Sequence, residues 1–421
     1  MLQNFVERPC CERVYSAMTA PSRIGLFILL LAIFLLGLAD VQIIAPILPE
    51  LAEDFSVSTA VMGTAVSAYA IAAAVWALVV GPLSDRIGRL IFLRAAALVF
   101  TGAATVAYFA VYFEHYVAAR VLAGLAGGTI SACVIAQVAD LFDYSARGRA
   151  MGWLGAIYFI AAVIAVPLGA WITSIWGWRA LYLLLGVLAL VLVALIRPAL
   201  LPKVRSNTQQ NHPGVLSAQP ATKTLWQQAQ NYSRYLARRT TRYGLLLAVM
   251  VSATVAGMVT FLGAWLTSVF GMSVATIGLV FMVTGGTSVV GAFGGGWLAD
   301  HLGKRRMIAL SSIILAAILF FVSAVQNHTG VFFFCAIGGL AMALREGPFQ
   351  ALISELAPAS ERGAYIALRN ATSQLAIAAA VAICGFLFER FGFHAVAYFA
   401  AGCSVVASGL ALWITEPDAR V

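Results

Sequence analysis

"GPLSDRIGRL", residues 81–90, sets an aspartate and two arginines between two of the most apolar stretches of the chain. A close copy follows 215 residues later as "GGWLADHLGKRR", residues 295–306. Gly81, Leu83, Asp85, Gly88 and Arg89 then stand opposite Gly296, Leu298, Asp300, Gly303 and Lys304. The same offset relates Arg147-Gly148 to Arg362-Gly363, and Gly177-Trp178 to Gly392-Phe393. Three separated matches at one spacing mark a duplicated unit.

The charged turns interrupt a chain of 421 residues that is 62% hydrophobic and 10% charged, with a mean hydropathy of +0.93. Soluble domains carry about a quarter charged residues, so most of this surface faces lipid. Apolar runs long enough to cross about 30 Å of hydrocarbon at ~20 residues each are read near 24–48, 60–81, 90–113, 115–139, 150–172 and 180–197. Six more follow near 243–266, 276–297, 307–326, 329–353, 364–387 and 394–414. Runs of this length are helices, because a lipid-bound backbone must satisfy its own polar groups. The expected fold is an all-α membrane protein of twelve transmembrane helices in two pseudo-symmetric six-helix bundles, at 24–197 and 243–414. A cytoplasmic N-terminal segment (1–23), a basic linker (198–242) and a cytoplasmic tail (415–421) complete it.

A net charge of +9 invites a nucleic-acid reading, but the charges are distributed otherwise. With the N-terminus inside, all but four of the 26 Lys and Arg residues fall on the inner side, the exceptions being Arg120, Arg179, Arg345 and Arg390. That is the positive-inside pattern, which puts both termini and the linker in the cytoplasm. In the linker, Leu225, Trp226, Tyr232 and Leu236 share a helical face, read as a helix on the anionic leaflet or as a plain connector. The first 23 residues lack the apolar core of a signal peptide. The cysteines form neither a disulfide framework nor a metal-ligand set. No nucleotide loop, nucleophile triad or metal ligand set is present, so an enzyme is not expected.

The turn at 81–94 resembles the signature between helices 2 and 3 of the major facilitator superfamily, written G-x-L-a-D-r-x-G-r-k. Arg120 and Gly124 in "RVLAGLAGG" resemble its helix 4 signature R-x-x-x-G, and "ARGRAMG" at 146–152 resembles the entry to helix 5. The resemblance implies an alternating-access carrier of a small molecule, working as a monomer in the bilayer, with no cofactor beyond a coupling proton. It also implies a cytoplasmic latch: Asp85 meets the start of helix 11 near Gly363 and Ala364, with Arg86 and Arg89 completing the network. Asp300, with Gly303 and Lys304 in its turn, meets helix 5 by pseudo-symmetry. The alternative is that these charges only enforce topology.

Charges inside spans are expensive, about 2.5–3.5 kcal/mol on insertion scales, and therefore informative. Asp40 lies ~24 Å from the inner edge of helix 1, and Arg120 ~8 Å from the outer edge of helix 4. In about 30 Å of hydrocarbon these depths coincide. The two residues are expected to meet, either as a proton-loading site that a cationic substrate could discharge or as a static pair. Arg345 and Glu346 in helix 10 and Arg369 in helix 11 fall at one level, where Glu346 and Arg369 are expected to pair. Arg345 is then left for an anionic group or for Glu355. Pro167 and Gly169 in "AVPLGAWI" resemble part of the family's helix 5 exporter motif. Tyr69, Tyr158, Phe261 and Trp265 either line a pocket or pack helices.

The combined reading is a proton-coupled exporter of a small amphipathic or drug-like compound in a bacterial inner membrane. Its rivals are an importer or uniporter of a sugar or organic anion and, from another class, a polytopic receptor or membrane enzyme.

Overall fold

Apolar segments of twenty or more residues in lipid have no hydrogen-bond partner but their own backbone, and every described span is helical. The computed structural model describes residues 20–142, 144–196, 234–357 and 362–414. The expectations for residues 1–19, for the linker up to 233 and for the tail from 415 lie outside the described residues, as do the side chains of Asp85, Arg86 and 144–149.

The first half comprises α1 (Ala20–Asp54), α2 (Thr59–Ile87), α3 (Arg89–Tyr108) and α4 (Phe113–Leu141). Next, α5 begins as Tyr144–Ile160, passes through a π-helical turn at Ala161–Ala165 and continues into Val166–Leu195. Unbroken, the apolar stretch Ala150–Leu195 of 46 residues would extend about 69 Å, over twice the membrane core. Gly177, at φ 77° and ψ 164°, divides it into the end of α5 and α6 (178–195). The second half comprises α7 (Arg239–Phe270), α8 (Val274–Leu302) and α9 (Lys304–Phe320). It continues with α10 (His328–Leu344, then Glu346–Glu355 across a joint at Arg345), α11 (Arg362–Phe391) and α12 (Phe393–Trp413).

The duplication extends to backbone detail. Gly88 and Gly303 both take positive φ, 121° and 84°, where L side chains are strained. Gly392 repeats Gly177, with φ 76°. Ser58 and Ser273 cap α2 and α8 with side-chain oxygens that accept from the N–H of Val61 and Thr276. The left-handed residue after α7 is Gly271, at φ 61°, and its counterpart after α1 is Ser56, at φ 53°. Arg89 pairs with Asp140 and Lys304 with Glu355, each ion pair tying the start of one helix to the end of the next.

Packing follows the same scheme, with α2 on α4 and α3 on α6 in the first half, and α8 on α10 and α9 on α12 in the second. Glycines set the closest approaches. A Cβ at Gly124 of α4 would press into the Tyr69 carbonyl of α2, and one at Gly339 of α10 would come within 2.6 Å of the Thr284 carbonyl of α8. A carbonyl backed by a helix cannot yield, so the helices would have to separate.

Two sets of variants test this account. Gly124→Ala and Gly339→Ala should each destabilise the protein by about 1–3 kcal/mol, as overpacked cores do. Gly102→Ala, whose Cβ meets nothing within 4 Å, should be neutral or stabilising by up to ~1 kcal/mol. Ser56→Gly should stabilise by about 1 kcal/mol by relieving left-handed strain. Thermal unfolding of the purified protein measures all four; equal effects at Gly102 and Gly124 would contradict the packing argument.

Candidate functional site

Asp40 and Arg120 are each 1% exposed, among the most deeply buried charged groups described. Arg120 Nη1 donates to both carboxylate oxygens of Asp40 at 2.9 Å. The Arg120 guanidinium lies 4.7 Å from the Tyr69 ring centroid, close enough for a cation–π contact. Tyr116 and Tyr182, joined hydroxyl to hydroxyl at 2.7 Å, lie within electrostatic reach of Arg120. The glycines after Arg120 make this possible. Gly124 admits the Tyr69 carbonyl, and Gly127 admits the Tyr69 hydroxyl. The sequence "RVLAGLAGG" thus builds a cation and the groove for the ring beside it. Tyr69 was read from sequence as a pocket or packing residue; the structure makes it the support of the buried cation.

The cavity beside the pair has about 10 Å³, room for one water. A substrate therefore cannot reach Asp40 in this conformation, and direct displacement of an Asp40 proton by a cationic solute is excluded here.

Between the halves, α2 packs on α11, α5 on α8 and α1 on α7. The close approaches cluster away from the Gly88 and Gly303 turns. Ser67 donates to the Ala378 carbonyl at 2.9 Å. Gly63 faces Phe261 and Val381, and Gly385 faces Ala60. Gly278 lies against Pro167 and Ala170, and Gly285 against Ala162 and Val163 of the π turn. Gly169 leaves the space that Ile43 of α1 fills. Pro167 therefore belongs to the seam between the halves, whereas Gly169 packs within the first half. Phe261 stacks on Phe388 (5.5 Å between ring centroids) and Trp265 on Phe393 (4.5 Å). Both are buried, and they act as packing rather than as pocket lining. Tyr158 differs, being 51% exposed, with its carbonyl accepting from Gln42 Nε2 of α1.

In the second half the expected Glu346–Arg369 pair is not formed. Glu346 accepts from Gln350 at 2.8 Å, and Arg369 donates to Asn370 at 2.8 Å while lying over the Phe349 ring. Both side chains are taken up by amides of their own helices, and Arg345 stands at the one-residue break between the two segments of α10. Arg345 is fully buried and reaches the Ser312 hydroxyl at 3.4 Å. Nor is Glu355 its partner, because Glu355 binds Lys304.

At the charged turns, Gly81 ends no helix but lies within α2, and Asp300 is exposed at the end of α8. Arg89 reaches the Ala136 carbonyl and Asp140 within its own half. The expected contacts of Asp85 and Arg86 with helix 11, and of Asp300 with the start of helix 5, involve side chains outside the described residues. Sequence reasoning missed the Arg89–Asp140 and Lys304–Glu355 pairs. A basic and an acidic residue spaced 51 apart in both halves carried that signal.

The Major Facilitator Superfamily model matches residues 29–238 and 245–421. An uncharacterized MFS-type transporter of Bacillus subtilis (strain 168), YceJ, is 25% identical over 372 residues, covering 87% of this chain and 90% of that relative. Multidrug resistance protein 2 of the same organism is 24% identical over 393 residues, covering 92% and 94%. Among solved structures, a bacterial homologue of the human lysosomal transporter Spinster, in an inward-facing and unoccupied conformation, shares this fold. Its TM-score is 0.74 at 15% identity, with 96% of this chain and all of that chain covered. Twelve membrane helices in two matched halves among the described residues, the twinned charged turns and the family match along nearly the whole chain lead to one assignment: the protein is a membrane transporter of the Major Facilitator Superfamily, not an enzyme.

Proposed function

We propose that the chain is a proton-coupled exporter of small amphipathic compounds, with Asp40 as the proton-carrying group and the seam between the halves as the substrate path. The observation that carries this reading is the enclosed Asp40–Arg120 pair. Arginine keeps its proton throughout the accessible pH range, so only Asp40 can change charge. A proton arriving on Asp40 leaves Arg120 uncompensated in a low-dielectric interior, which costs several kcal/mol and favours a rearranged first half. Export is supported by the resemblance of Pro167 and Gly169 to the exporter motif, with Pro167 against Gly278 of α8, and by similarity to a multidrug resistance protein. With the basic turns in the cytoplasm, the described contacts fit a carrier closed outside, and Asp85 and Asp300 are proposed to latch its cytoplasmic ends in the opposite state. The site in the membrane is that of a bacterial cell, with both termini inside, and the unit is the monomer.

Two outcomes follow. In one-for-one exchange, a pH gradient of one unit, about 1.4 kcal/mol per proton, sustains roughly tenfold accumulation. Asp40→Asn should lose that accumulation and retain downhill counterflow when amphipathic dyes and antibiotics are screened in energised inside-out vesicles. Continued uphill transport by this variant would move coupling elsewhere, with Glu346 the next candidate. Accumulation driven in the opposite direction would identify an importer. Independently, Gly285→Leu, which wedges α5 from α8, should raise labelling of single cysteines on the external side. Unchanged labelling would show that this seam is not the outer seal.

A further inference from the structure

The second half holds opposite charges at one level without letting them join. Glu346 and Arg369 are within electrostatic reach of each other, yet no ion pair connects them among the described residues. Each is held instead by a neutral amide. Gln350, one turn along the helix, donates to Glu346 Oε1, and Asn370, the next residue, accepts from Arg369 Nη1. Phe349 covers one face of the guanidinium, its ring centroid 4.8 Å away. The Arg369 edge is not used up, since its Nε is buried with no partner. From the other half, Tyr158 comes within electrostatic reach of Glu346 and is half exposed. The first half does the reverse, closing Asp40 and Arg120 on each other and sealing them.

Opposite charges in a low-dielectric seam attract strongly, so amides that hold them apart forgo that attraction. An acid with a free oxygen and a guanidinium with a free edge, separated in this way, make a receptor for two charges at once. We propose that the gap between Glu346 and Arg369 binds a zwitterionic amphipathic solute. Its cationic group lies on Glu346, its anionic group on Arg369 and its apolar body against the half-exposed Tyr158. This rests on the reading of the seam as the substrate path and specifies its substrate class. Selectivity follows from the unmatched charge. A cation alone would be placed beside Arg369 with nothing to offset the repulsion, and an anion alone would face Glu346. Arg345, buried behind Glu346 and within its electrostatic reach, adds positive charge to the region. An anion alone is thus the closest competing class. A zwitterion leaves the loaded seam with the same net charge as the empty one, so its binding does not disturb the charge balance that Asp40 governs.

The test uses triplets of probes on one phenylalkyl skeleton, beginning with phenylalanine, phenethylammonium and 3-phenylpropionate and extending to longer charge separations. Binding to the purified protein is measured by calorimetry. The zwitterion of at least one triplet should bind about tenfold tighter than its cation and its anion. Glu346→Gln should lose that preference and favour the anion, Arg369→Gln should favour the cation, and the exchanged pair Glu346→Arg with Arg369→Glu should recover the zwitterion. The exchanged pair keeps the test valid if a single variant is poorly folded. An anion that binds the native protein as tightly as the zwitterion and ignores Glu346→Gln would overturn the proposal. So would a cation that ignores Arg369→Gln, or no binding in any triplet. None of these results touches the carrier reading, which fails only if the native protein shows no gradient-driven transport of amphipathic compounds in vesicles.

Discussion

A carboxylate and a guanidinium withdrawn from both water and lipid dictate how the first half is built. Pairing offsets the large cost of withdrawing Asp40 and Arg120 from water at that depth. Their pairing at 2.9 Å requires α1 and α4 to present them at the same level. The Tyr69 ring beside the cation requires α2 to press on a glycine face of α4. Tyr116 and Tyr182 enclose the site from α4 and α6. The shared helix order places the pair, and the Tyr69 ring and the glycines of α4 shape its surroundings.

The second half inherits the same scaffold without that pair. Position 335, matched to Arg120, is Cys335, and position 255, matched to Asp40, is Val255. What the halves share is scaffold: the capping serines, the glycine turns and the ion pairs at the helix 3 and helix 9 entries. What they do not share is charge chemistry. One half encloses a neutralised pair, and the other leaves Glu346 and Arg369 unjoined. A duplicated carrier can use that division, assigning proton handling to one bundle and solute recognition to the other.

The elements that were legible in the sequence were governed by periodicity, depth or glycine. Gly88 and Gly303 announced turns, and counting residues from each membrane edge brought Asp40 to the level of Arg120. The failures had a different origin. Glu346 and Arg369 shared a depth, but depth says nothing of azimuth, and each side chain bonds to an amide of its own helix instead. Phe261 and Trp265 were indistinguishable from pocket aromatics until their stacking partners Phe388 and Phe393 were placed, over a hundred residues away in sequence. The role of Tyr69 depended on glycines in another helix. Single-residue chemistry could be read along the chain, whereas direction across the bundle could not.

The central claim is that the charge of Asp40 sets which way the seam opens. The most direct test is the distance between spin labels at Leu83 on α2 and Leu302 on α8, exposed positions near the basic turns in opposite halves. It should be measured by pulsed electron resonance across a pH titration in reconstituted bilayers. The account predicts a pH-dependent shift between two distance populations in the native protein, and a single pH-independent population in Asp40→Asn. A variant that shifts with pH as the native protein does would contradict it.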